Sequence, residues 1–166
     1  MKIVKAEHNQ TDGIFSILNR CKNALDLLGI FQWTNMYPNR LIVEQDILNK
    51  QLYCLTDEDI CIGVITINET QEIEYASIKW EYNYGTALVV HRLAIDPEYQ
   101  GRGYAKKLMD FAEGFGRLHS YSSVRLDAFS KNERVLRLYE QRGYFKRGEL
   151  FFPARQSPFF CYEKPL

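Results

Sequence analysis

Apolar and polar positions change period several times along this chain, and each change marks an expected element. Residues 2–7 alternate as a strand does. After Thr11-Asp12, an N-cap candidate, Ile14, Ile17, Leu18, Cys21, Leu25 and Leu28 share one helical face as far as Gly29, a helix terminator. Residues 31–38 are rich in aromatics and follow neither period; a short helix is expected next, from about residue 40 to 49. Residues 51–56 and 60–67 read as two strands, and the acidic turn Asp57-Glu58-Asp59 between them predicts an antiparallel hairpin. Gly63, inside the second of these, marks a bulge or a close approach. Residues 68–86 are polar and aromatic, with a strand fragment expected near 77–80.

The pattern is strongest from residue 88 onward. Leu88, Val89, Val90, Leu93 and Ile95 suit a buried strand, and Pro97 cannot continue its ladder. Ala105, Leu108, Met109, Ala112 and Phe115 then form the apolar stripe of a helix whose first turn is expected near Gly101 and whose end is expected near His119. Residues 124–128 make the next strand. Ser130 and Glu133 fit a capping box at the start of a helix carrying Val135, Leu136, Leu138 and Tyr139, and Gly143 closes it. Strands at 145–152 and 159–163 complete an order of β-α-α-β-β-β-α-β-α-β-β. This is an α/β class fold with a mixed sheet, in which the two strands followed by helices lie parallel.

Composition narrows what such a fold does. With 166 residues and 46% hydrophobic content, one domain spanning residues 1–166 is expected. Twenty-one basic residues balance twenty-one acidic ones, so no global field draws the chain to nucleic acid or to an anionic membrane. No stretch approaches the roughly 20 apolar residues of a membrane span, and a cytoplasmic location is expected. Cys21, Cys54, Cys61 and Cys161 show no ligand spacing and do not cluster with His8, His91 or His119, so reduced, packed thiols and no metal are expected.

The candidate chemistry starts at Gln100-Gly101-Arg102-Gly103-Tyr104-Ala105. Free amides at a helix start, beside glycines that admit a ligand, hold phosphate oxygens well. A dinucleotide fingerprint fits poorly, because Lys106 stands at the third glycine position, and no GxxxxGK[ST] loop exists. A plain turn between strand and helix remains open on spacing alone. Farther on, Asn132 and Tyr139 lie seven residues apart, two helical turns, so both can face one side.

The segment from His91 to Met109, with Gln100, Gly103 and Ala105 at the fixed positions of a [QR]xxGx[GA] signature, resembles the acyl-CoA-binding core of the GNAT superfamily of N-acetyltransferases. Asn132 followed by Leu138-Tyr139-Glu140-Gln141-Arg142-Gly143-Tyr144 is similar to the family's N…LYxxxGF segment, with Tyr144 in place of Phe. The resemblance implies the GNAT fold with splayed parallel central strands, and an acetyl-CoA-dependent transfer to a primary amine of a small molecule or peptide. It implies that amides of Gln100, Gly101, Arg102, Gly103, Tyr104 and Ala105 hold the pyrophosphate, while the backbone of Leu93, Ala94 and Ile95 meets the pantetheine. Asn132 would bond the CoA arm, and Tyr139 would protonate the leaving thiolate.

Acceptor deprotonation needs a base, since a lysine-like amine has a pKa near about 10.4. His91 and Glu81 are the candidates, and Asp127 sits in a strand where it could instead orient Arg125 or cap a turn. By the resemblance, Trp33 and Tyr37, and with them Trp80, Tyr82 and Tyr84, come from the two regions that flank the acceptor channel and are candidate walls for the acceptor. Arg102, Lys106 and Lys107 could add charge near the CoA phosphates or simply be solvated. Dimers are frequent in the superfamily. The rival readings are a non-catalytic acyl-CoA-binding module and a related transferase using another acyl group.

Overall fold

The computed structural model describes residues 1–153 and 155–166 and divides into two compact units. One comprises Met1–Ile67 with His91–Ala112, the other Asn68–Val90 with Glu113–Leu166. In chain order the elements are β1 (Lys2–Lys5), α1 (Thr11–Leu27), α2 (Arg40–Leu48), β2 (Leu52–Asp57), β3 (Ile60–Asn68), β4 (Ala87–Ile95), α3 (Tyr104–Leu118), β5 (Ser123–Phe129), α4 (Glu133–Gln141), β6 (Phe145–Leu150) and β7 (Phe159–Pro165). Hydrogen bonding orders the strands β1-β2-β3-β4-β5-β7-β6. This is the mixed α/β architecture that the hydrophobic pattern predicts.

In the first unit, β1, β2 and β3 run antiparallel. Glu58 and Asp59 both take positive φ in the hairpin turn, where short polar side chains tolerate the left-handed region. Ile14, Ile17 and Leu18 of α1 pack with Val43 and Ile47 of α2 and Leu52, Cys54 and Val64 of the strands. The α1 stripe is buried as far as Cys21 and half-buried at Leu25, while Leu28, the residue that caps the helix end, is 73% exposed. Both readings of Gly63 hold. The register slips between Leu55 and Thr56, and a Cβ on Gly63 would fall 2.5 Å from Ile95 Cδ1.

In the second unit, Ala87–Val89 pair in parallel with Ser123–Arg125, β5 pairs antiparallel with β7, and β7 with β6. Residues 71–83 are anchored by side chains instead of a ladder. Glu163, fully buried, accepts the amides of Glu81 (2.8 Å) and Tyr82 (3.3 Å) and pairs with Arg125 Nε (3.0 Å). Arg125 donates in turn to the Tyr82 carbonyl, Asn83 and Gln71, and lies over the Trp80 ring.

Four local expectations are corrected. Thr11 is inside α1 and its hydroxyl bonds the His8 carbonyl, because a short 3-10 turn at His8–Gln10 already starts the coil. No strand forms at 77–80; a 3-10 turn at Ile73–Ser77 gives way to the side-chain-anchored segment. The third helix begins at Tyr104, after Gly101 and Gly103 have each taken φ of +80°, outside the helical region. Asn132, not Ser130, caps α4, its Oδ1 accepting the Val135 amide, while Glu133 pairs with Arg137 on the surface.

Candidate active site

The turn after β4 is shaped by backbone and held from behind. Asp96 receives an ion pair from Arg20 of α1, accepts the Glu98 amide, and its own amide donates to the Ile62 carbonyl. Gln100 Nε2 donates to the Ile95 carbonyl at 2.9 Å, closing the loop on itself. Gly101 and Gly103 are exposed, and a Cβ at either would meet nothing within 4 Å. Since Lys107 N to Gly103 O is a first-turn bond, the amides of Tyr104, Ala105 and Lys106 have no acceptor one turn back. An open turn with such free amides suits an anion such as a diphosphate.

Ala94 and Ile95 are buried and Leu93 is half-buried. The Ile95 carbonyl, expected to meet the pantetheine, already accepts from Gln100 and from Cys21 Sγ (3.1 Å). Arg102 folds back on its own loop, donating to the Glu98 carbonyl and lying over the Tyr99 ring. Lys106 is exposed, and Lys107 lies over the Tyr104 ring.

Sequence reasoning missed Arg92. It takes φ of +50° inside β4, which interrupts the two-residue alternation of the strand. Its guanidinium clasps Asp46 at 2.7 and 2.9 Å and donates to the Tyr37 hydroxyl at 3.0 Å. Thr66 also bonds Asp46, whose carboxyl burial nevertheless pushes up. Tyr37 is therefore fixed by a buried ion pair, while Trp33 packs partly buried against the first unit's core. His91 is buried. The only hint of Arg92's role in the sequence was a charge inside an apolar run.

The second unit gathers a different set. Tyr139 is buried on α4 with its ring 5.8 Å from Tyr144 and 6.0 Å from Tyr162. Burial, then the nearby Asp127 carboxylate, pushes its phenol pKa well up, so Tyr139 stays protonated at neutral pH. Asn132, one helix face away, is buried as the cap. Asp127 does not orient Arg125, which Glu163 holds; it accepts a 2.7 Å bond from Tyr75. Glu81 is exposed and pairs with Arg147 at 2.5 Å. Trp80 is buried, its Nε1 bonded to the Tyr75 carbonyl, and Tyr82 meets Tyr84 edge to face. Among the described residues, no group of three or more His, Cys, Asp or Glu side chains is placed to hold a metal, and no helix is long and apolar enough to cross a membrane.

The first unit thus carries a glycine-shaped amide turn after its last strand, and the second an Asn-capped helix with a buried tyrosine. The chain matches the acetyltransferase (GNAT) family over residues 14–144 and belongs to it. It is similar in structure to a GNAT-family acetyltransferase of Streptococcus agalactiae 2603, with a TM-score of 0.84 and 24% identity over 99% of this chain and 95% of that one. It also resembles yncA of Salmonella typhimurium, solved with its cofactor acetyl-CoA, with a TM-score of 0.74 and 14% identity over 99% and 93% of the two chains. In sequence it is similar to human N-acetyltransferase 8B, 35% identical over 65 residues, which are 39% of this chain and 29% of that protein.

Proposed function

We propose that this protein transfers the acetyl group of acetyl-CoA to a primary amine of a small molecule or peptide. Tyr139 carries the reading: a buried phenol, kept protonated by its surroundings and set two helical turns after Asn132, is suited to donate a proton to a departing thiolate. In the first unit, amides of residues 101–105 take the pyrophosphate, that of Gln100 being bonded to the Pro97 carbonyl, and Leu93 and Ala94 supply strand backbone to the pantetheine. Tyr37, with its hydroxyl anchored on Arg92, and Trp33 present aromatic surface to the acceptor. Of the two bases first considered, Glu81 is already paired with Arg147 and His91 is buried.

The test is release of free CoA thiol from acetyl-CoA with polyamines, amino acids, aminoglycosides and peptides bearing a free α-amine. Turnover with at least one amine is expected. Binding of CoA without turnover across the panel would make the chain a cofactor sensor, and turnover only with longer acyl donors would change the acyl group. No CoA binding at all would end the reading.

A further inference from the structure

The base left unassigned has a better candidate than His91 or Glu81. Six of the seven residues of β5 are buried, and Asp127 is the exception, a carboxylate in a core strand that keeps some access to solvent. Its Oδ1 is fixed by the hydroxyl of Tyr75, 2.7 Å away, and Tyr75 is itself only 2% exposed. Its Oδ2 has no protein hydrogen bond, and no arginine or lysine pairs with it, among the described residues. A cation-free carboxylate with one oxygen clamped and one open is equipped to accept a proton, whereas Glu81 is neutralised by Arg147.

The charged and titratable neighbours of Asp127 come from every element around it. Glu72 before the 3-10 turn and Glu74 within it add negative charge, Cys161 is its register partner on β7, and Tyr139 of α4 feels its charge. Burial first, then the two glutamates, lift the Asp127 pKa to about 6, against the lowering effect of the Tyr75 bond. At neutral pH the group is mostly ionised yet basic enough to take a proton.

We infer that Asp127 is the general base of the transfer and that Tyr75 is its positioning residue. This rests on the acetyltransferase reading above. Asp127 takes one proton from the acceptor ammonium, directly or through water, and passes it to solvent. The freed nitrogen lone pair forms the N–C bond to the acetyl carbon, and the C–S electron pair leaves on sulfur. Tyr139 gives its proton to that sulfur and is reprotonated by the second proton shed from nitrogen, so charge and atoms balance.

The experiment is the pH profile of kcat/KM, on the full chain, with the panel amine that is turned over fastest, for wild type, Asp127→Asn, Asp127→Glu, Tyr75→Phe, His91→Asn and Glu81→Gln. Wild type should show an acidic limb near pH 6. Asp127→Asn should lose that limb and fall about 100-fold, with CoA affinity unchanged, and Asp127→Glu should recover part of the rate. Tyr75→Phe should stay active while its limb moves to higher pH, because a bond that lowers the pKa has been removed; a merely structural tyrosine would not shift it. Persistence of the limb in Asp127→Asn, its loss in His91→Asn or Glu81→Gln, or an unmoved limb in Tyr75→Phe would overturn the assignment while leaving the transferase reading intact. Absence of thiol release by the wild type would instead end that reading and this inference with it.

Discussion

The turn at residues 96–105 and the cluster around Asp127 are built in opposite ways. The first is exposed backbone: two glycines at φ +80°, helix-start amides, and side chains such as Arg102 folded away onto the loop. The second is side chains packed in the interior, Tyr75 and Tyr139 buried and Asp127 half-buried between them in the numbering, from three elements separated by up to 64 residues. A diphosphate has many oxygens and little shape to read, so a donor-rich main chain suffices. Proton transfer needs pKa values set apart, and only burial and chosen neighbours do that.

The largest effect that would break this contrast is at Gly103. Gly103→Glu has open space for its Cβ, so the chain should fold with a strain of about 1–2 kcal/mol from its left-handed φ. Negative charge against the diphosphate should nevertheless weaken CoA binding by about 100-fold or more by calorimetry. Near-normal affinity would mean that the turn does not hold the cofactor.

Tyr139→Phe should act on the opposite parameter, lowering kcat by about 10- to 100-fold while CoA affinity stays within about 2-fold. An unchanged kcat would reduce Tyr139 to a core aromatic.

A smaller, thermodynamic effect belongs to Asp127. Its pKa is raised on folding, to about 6, so its contribution to stability is complete below the unfolded value of about 4 and is lost as pH rises through about 6. Relative to wild type, Asp127→Asn should therefore gain about 1–2 kcal/mol between pH 4 and pH 7, less than a fully buried group would give because Asp127 retains solvent contact. Urea denaturation of both proteins at the two pH values measures this, and parallel curves would contradict the raised pKa. The smallest change is expected for Arg102→Ala, under about 3-fold in CoA affinity, since an exposed guanidinium bonded to its own loop adds little. A loss of 10-fold would show that side-chain charge, and not only main chain, reads the phosphates.

Legibility in the sequence follows the same division. The spacing of Gln100, Gly103 and Ala105 was readable because a strand end, two positive-φ positions and a helix start must occur consecutively in the chain. Asn132 and Tyr139 were readable through the resemblance of residues 132–144 to the family's segment, with a spacing of seven, two helical turns, that lets both face one side. Arg92 and Asp127 were not, as a charged residue in a strand reads the same whether it is solvated, paired or poised. Their partners, Asp46 and Tyr75, lie 46 and 52 residues away. Even the helix starts show the limit: Ser130 with Glu133 satisfies the capping pattern, yet the chain stays extended and turned through 131, and Asn132 caps instead.

The sequence by itself determined the order of elements, through local periodicity, and the family, through the resemblance of two short segments whose residues lie close in the chain. Only the tertiary structure decided which charges are paired and which carboxylate is left open. Burial and partner choice are properties of packing, and no period in the chain encodes them.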